Sequence, residues 1–176
     1  YLIDTNMNIQ FTGLQTKKKN IYSTLLDGEV IMHDKYGRFI NLFAAFDVYF
    51  INNIDRREFD FMYESEYKDK LSGIAKKSDK KDKKDKKDKK DKKVDKDKDE
   101  KEPVGRLTLL EKVLTVFNDD ITERNIHINF EVKSKEFYLY GNIFEHCNSI
   151  LTKAKDGLFV YETDGLIFTP IDSGIP

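Results

Sequence analysis

Apolar residues in the first fifty positions fall in short extended stretches rather than at helical spacing. Tyr1 to Asp4 and Ile9 to Phe11 are brief runs broken by Asn, Thr and Gly13, and Lys17-Lys18-Lys19-Asn20 has the composition of a polar turn. Ile21 to His33 carries an extended pattern. Asp34-Lys35-Tyr36-Gly37-Arg38 then has the length and residue types of a hairpin connection, and Phe39 to Ile51 returns as an apolar run long enough for a buried strand. This half predicts an antiparallel meander.

From Asn52 to Ala75 the pattern weakens into charged and aromatic residues, and a repeated Lys-Lys-Asp unit follows. Its period of three misses the 3.6-residue helical repeat. Between residues 76 and 102 only Ser78 and Val94 are uncharged, so the segment has nothing to bury and is expected to be a disordered insert. Beyond Pro103, the helical spacing of Leu107, Leu110, Val113, Leu114 and Phe117 predicts an amphipathic helix from about Arg106 to Phe117. Asn118-Asp119-Asp120 is expected to stop it. Ile126 to Val132 alternates strictly, as a half-buried strand does. Gly141 to Ala154 predicts a second helix with Ile143, Phe144, Cys147, Ile150 and Leu151 on one face, and Leu158 to Thr169 a closing strand interrupted at Asp164-Gly165. The expected fold class is α+β: mostly antiparallel sheets with two flanking helices. Residues 1–75 and 103–176 form the two parts of one body around the 76–102 insert.

Composition sharpens this picture in two places. The net charge is −1, which selects no partner, but the insert holds 15 Lys and 10 Asp or Glu, leaving 16 basic and 22 acidic residues and a charge of −6 on the rest. A mean hydropathy of −0.64 therefore reflects the insert, while the remainder is rich in Phe, Tyr, Ile and Leu. Near-alternating opposite charges also cancel much of the field that would make the insert an RNA-binding arm. The lone Cys147 rules out an intrachain disulfide and a thiolate zinc cluster and points to a reducing compartment. No run reaches the ~18 to 20 apolar residues of a membrane span. A start at Tyr1 and a finish at Ser173-Gly174-Ile175-Pro176 lead to the expectation of a fragment.

Three segments carry candidate chemistry. In Leu26-Asp27-Gly28-Glu29-Val30, strand alternation puts Asp27 and Glu29 on one face, and Gly28 frees the other for close approach of a ligand. In Ala44-Ala45-Phe46-Asp47-Val48-Tyr49-Phe50, small residues precede an aromatic and an acid. Thr163-Asp164-Gly165-Leu166-Ile167-Phe168-Thr169-Pro170 sets an acid and a glycine at the mouth of an apolar strand. Taken singly, Asp-Gly is a common turn signal.

In this order and spacing the three segments resemble the covalent nucleotidyltransferase superfamily of mRNA capping guanylyltransferases and ATP- or NAD-dependent polynucleotide ligases. Leu26-Asp27-Gly28-Glu29 looks like its motif III, Phe46-Asp47-Val48-Tyr49-Phe50 like motif IIIa, and Asp164-Gly165-Leu166-Ile167-Phe168 like motif IV. Thr-Asp-Gly-Leu-Ile-Phe-Thr-Pro is typical of motif IV in capping enzymes of large DNA viruses, whereas ligases more often place Glu at the position of Asp164. The resemblance implies a nucleotidyltransferase core. A motif I lysine attacks the α-phosphate of GTP, releases pyrophosphate and passes GMP to the 5'-diphosphate end of RNA. It assigns Glu29 to the ribose or a metal-bound water, Phe46 to stacking on guanine, Asp164 to the divalent cation, Mg2+ (or Mn2+), and Asp27 and Asp47 to shaping the site. It further implies flanking triphosphatase and methyltransferase domains or subunits and an intracellular location, in the virion or the virus factory of the host cytoplasm.

No lysine here is followed by any residue and then Asp-Gly, so motif I is missing, as are the paired lysines of motif V. Lys155-Asp156-Gly157 lacks the intervening residue and reads as a helix-ending turn. Alone, the chain is expected to form no covalent intermediate. Two alternatives stay open: an ATP-dependent polynucleotide ligase fragment, and a non-catalytic nucleic-acid- or protein-binding domain of the same fold. His33, His127 and His146 lack paired ligand spacing. His146-Cys147 are helical neighbours that point apart, which argues against a Cys-His nucleophile. Phe137-Tyr138-Leu139-Tyr140 reads as core rather than a base-stacking surface.

Overall fold

The computed structural model describes residues 1–68, 70, 103–121, 130–139 and 141–175. The expected disordered insert lies outside the described residues, as does most of the strand expected at Ile126 to Val132.

Leu2–Ile3 (β1) and Ile9–Gln10 (β2) pair antiparallel as a small separate ribbon. Asp4 organises its turn, accepting hydrogen bonds from the Asn6 and Asn8 backbone N–H groups and from the Asn8 side-chain amide. Leu25–His33 (β3) and Phe39–Ile51 (β4) form the expected hairpin through Asp34 to Arg38. A second hairpin follows: Asn52 and Asn53 both adopt positive φ, 52° and 64°, and return the chain as Ile54–Asp55 (β5). Asparagine tolerates this left-handed geometry, which matches the twist of a two-residue hairpin turn.

One feature departs from the expected meander. Glu131–Ser134 (β6) lies along β4 in parallel, with Leu42 opposite Glu131 and Ala45 opposite Ser134. The sheet is thus mixed. β4 stands at its centre, with β3 on one edge and β5 and β6 sharing the other. A strand arriving from a crossover that includes a helix can pair in parallel, which a tight turn forbids.

Arg106–Ile121 (α1) starts where periodicity places it and runs past the expected Asn-Asp-Asp stop. Leu107, Leu110, Val113 and Leu114 are all buried. Leu110 and Leu114 pack with Ala45 and Val48 of β4 and with Phe130 and Val132, making one core from both parts of the sequence. A second cluster joins Leu107 to Phe61, Met62 and Tyr67, with Phe137, Leu139 and Ile171 against it. Gly105 permits this junction, because a Cβ there would stand 2.8 Å from both the Met62 Cα and the Phe61 carbonyl oxygen.

Ile143–Lys155 (α2) is capped by the Asn142 side chain, which accepts from the Glu145 N–H. Its apolar face is not buried as expected: Phe144 is 83% exposed, and no residue of the helix is fully buried. Residues 158–169 do not form the expected strand. Leu158, Val160, Ile167 and Phe168 are exposed, and no described strand pairs with this segment, so its alternating apolar residues have no sheet to join. No helix among the described residues is long and apolar enough to cross a membrane.

Candidate functional site

Glu29 and Phe46, more than a dozen residues apart in sequence, meet on the adjacent strands β3 and β4. The residue that joins them comes from a third segment. Lys135, just past β6, is held by its backbone N–H donating to the Ala45 carbonyl at 2.8 Å. From there its amine donates to Glu29 Oε2 at 2.6 Å and lies 5.6 Å from the centroid of the Phe46 ring. A cation at that distance is attracted by the ring's electron-rich face. Glu29 remains about half exposed in this pair, so the triad is open to solvent.

A bulge explains why Phe46 and Asp47 serve different roles. Asp27 pairs with Asp47 and Gly28 with Ala45, which leaves Phe46 without a partner on β3. Strict alternation is thereby broken, and the neighbours Ala44 and Ala45 are both buried, as are Asp47 and Val48. Gly28 also has a different purpose from the one expected. A Cβ there would stand 2.5 Å from Phe43 Cζ and 2.8 Å from the Ala44 carbonyl oxygen, so the space above it is filled by the Phe43 ring rather than kept for a ligand.

Asp47 accepts two hydrogen bonds from Arg106, from Nε at 2.9 Å and from Nη2 at 3.2 Å, and a third from the Val48 N–H at 2.7 Å. The Arg106 Nη1 donates to the carbonyls of Phe59 and Ser173, so this buried guanidinium ties β4, the loop after β5 and the segment beyond Asp164 to the start of α1. Arg106 at a helix N-terminus opposes the helix dipole, a cost offset by the charge-assisted bonds it makes. Asp27 is held otherwise, by the Tyr49 hydroxyl at 2.6 Å and the Gly28 N–H at 2.9 Å. Burial, with the Asp27 hydrogen bond and the charges of Asp27 and Asp47, pushes the Tyr49 phenol up to about 12. Both aspartates are thus engaged by other groups of the protein.

Asp164 lies in the exposed 158–169 segment beside Gly165, and among the described residues no hydrogen bond or ion pair brings it to the Glu29, Phe46 and Lys135 triad. That segment is fastened at both ends. Lys35 binds the Gly157 and Val160 carbonyls at one, while at the other the Met62 N–H donates to Ile171 and the Ile175 N–H to Arg57. No group of three or more His, Cys, Asp or Glu is gathered among the described residues. His33 meets the edge of Phe39, His146 lies near the Tyr138 ring, and His127 lies outside the described residues. Phe137 and Leu139 join the core as expected, whereas the Tyr138 hydroxyl donates to Glu136 and accepts from Lys153. A cleft of about 220 Å³ lined by Leu14, Phe117, Phe130 and Val132 is mostly apolar and holds none of the expected site residues.

Lys135 and Arg106 are the two residues that sequence reasoning missed. Arg106 carries a signal, a cation in a first helical turn. Lys135 carries none, because Lys133-Ser134-Lys135 reads as an ordinary charged strand end.

No family model matches the chain, and neither a curated protein nor a solved structure matches it. The class that the structure itself defines is an α+β domain built on a mixed, mostly antiparallel sheet with flanking helices.

Proposed function

We propose that these residues are part of an mRNA guanylyltransferase with a nucleotidyltransferase core. Such an enzyme moves GMP from GTP, through a lysyl-GMP intermediate, to the 5'-diphosphate end of RNA. The observation that carries the reading is the meeting of Glu29 with Phe46, the residues that the motif resemblance assigns to ribose and base, around the amine of Lys135. The Phe46 ring offers the stacking surface, and Glu29 can accept from the ribose hydroxyls. The Lys135 amine, over the face of that ring, is a donor. Guanine offers two acceptors to such a donor, O6 and N7, whereas adenine replaces one with an amine. On this reading the triad would prefer guanine, the property by which such an enzyme differs from an ATP-dependent ligase.

The aspartates of the three motif segments divide in two. Asp27 and Asp47 are consumed by Tyr49 and Arg106, while Asp164 is exposed. Magnesium binds proteins through one or two carboxylates and keeps its waters and the substrate phosphates, so an exposed aspartate fits as its donor. Asp164 would hold Mg2+ (or Mn2+), which neutralises phosphate charge when bound. With no Lys-any-Asp-Gly among the 176 residues, the nucleophile is supplied by other polypeptide. Triphosphatase and methyltransferase partners, and action in the cytoplasm of an infected cell, belong to the same reading.

Direct titration with GTP and ATP tests it. Tighter binding of GTP, lost in Phe46→Ala, is the expected result. A preference for ATP would favour the ligase, and binding of neither nucleotide would favour the non-catalytic module.

A further inference from the structure

The tip of the β3–β4 hairpin presents a different constellation. Asp34 is buried at its base and accepts from the backbone N–H groups of Tyr36 at 2.8 Å and Arg38 at 2.9 Å and from the Arg38 guanidinium at 2.6 Å. Burial works against this carboxylate, but the bonds from Arg38 and Tyr36 outweigh it and hold its pKa below the usual value. The loop is thus braced from within. What it holds outward is the Tyr36 ring, 71% exposed, with Lys35 Nζ at 5.0 Å and the Arg38 guanidinium carbon at 5.3 Å from its centroid. Lys35 also binds the Gly157 carbonyl just past the end of α2, which fastens the tip to the segment that follows that helix.

A rigid exposed ring flanked by cations is what single-stranded nucleic acid binds. Bases stack on the aromatic face without regard to sequence, and the cations neutralise neighbouring phosphates. The bracing is that of an ordinary Asx turn, whereas the exposed aromatic it carries contributes nothing to the core. We propose that Tyr36, Lys35 and Arg38 form a stacking and phosphate-contact site for single-stranded RNA. Strands rise about 3.3 Å per residue, so Glu29 stands roughly 13 Å along β3 from its end at His33, and the tip lies beyond that. It is therefore separate from the nucleotide triad, and it stands whether or not that triad takes GTP.

The test uses the absence of tryptophan from the chain. Tyr36→Trp places a single indole at the tip, and titration with a ten-nucleotide oligouridylate should quench its emission saturably. In the otherwise unchanged protein, Tyr36→Ala should weaken that oligonucleotide by about 5- to 150-fold, the range expected for loss of one stacked base, while Tyr36→Phe retains binding. An abasic oligomer of equal length should bind the protein and Tyr36→Ala alike, since any contribution of the lysine-rich insert is common to both. GTP affinity, measured in parallel, should be unchanged by Tyr36→Ala. Unquenched indole emission, or equal oligouridylate affinity in the protein and Tyr36→Ala, would overturn the proposal.

Discussion

Asp27 and Asp47 face each other across β3 and β4, and each is satisfied by a different partner. Like charges directly opposite on a sheet are destabilising. Asp47 is neutralised by the buried Arg106, and Asp27 is tied down by the Tyr49 hydroxyl. Two carboxylates can therefore stand opposite each other on β3 and β4 without forcing the strands apart.

Removing the cation alone should expose that conflict. Arg106→Met leaves the Asp47 carboxylate buried without its counter-charge and frees the Phe59 and Ser173 carbonyls, so a loss of about 3 to 5 kcal/mol is expected in urea unfolding. Arg106→Met with Asp47→Leu should recover much of the loss, because an apolar pair strands no charge. Equal losses in the single and double variants would show that the carbonyl contacts, not the ion pair, carry the effect.

The Tyr49 phenol gives a pH signature. Its folded pKa of about 12 lies above the unfolded value of about 10, so the neutral form is favoured by the fold. Its contribution to stability is complete below pH 10 and fades as pH rises toward 12. Absorbance titration at alkaline pH should show one of the nine tyrosines ionising late. Asp27→Asn should bring that late step earlier, and Tyr49→Phe should remove it.

At the triad, two substitutions should separate stacking from edge recognition. Phe46→Ala should weaken GTP and ATP together, by about 1 to 3 kcal/mol if base stacking on an aromatic holds its usual value. Lys135→Met should instead narrow the ratio of GTP to ATP affinity, because only guanine offers both acceptors. Calorimetric titration of both variants checks this, and a Lys135→Met protein with an undiminished ratio would remove the lysine from base selection.

Incubated with α-labelled GTP and magnesium, the 176-residue chain should acquire no label, since it lacks the lysine motif. With a segment carrying Lys-any-Asp-Gly and the motif V lysines restored, Asp164→Ala should abolish labelling and Asp164→Glu should retain part of it. Labelling of Asp164→Ala at the parent rate would return Asp164-Gly165 to the role of a turn.

Local patterns in the sequence were legible where local physics decides the outcome. The 3.6-residue spacing from Leu107 to Leu114 gave α1 and its buried face, and Asp34 to Arg38 gave the hairpin. Asn52-Asn53 also has turn chemistry, though it stands among charged residues that mask it. The parallel β4 and β6 pairing was not readable, because nothing near Glu131 states which distant strand it will meet. The bulge at Phe46 defeated alternation for a similar reason: an extra residue in one strand shows only against its partner. Hence Phe46 and Glu29 were nameable from motif likeness, but their link through Lys135 required the three-dimensional arrangement. The face of α2 and the 158–169 segment were misread because periodicity shows that a surface is apolar, not that anything covers it.

The placement of β6 against β4 has a consequence for the integrity of the molecule. Residues before and after the lysine-rich run share one sheet and one core, with Val132 and Leu110 packed on Ala45 and Val48. Scission of the backbone within that run, where Lys, the residue trypsin cuts after, holds 15 of the 27 positions from 76 to 102, would not yield two independent domains. It would yield two complementary peptides held together without a covalent bond, each incomplete alone and each the template on which the other folds.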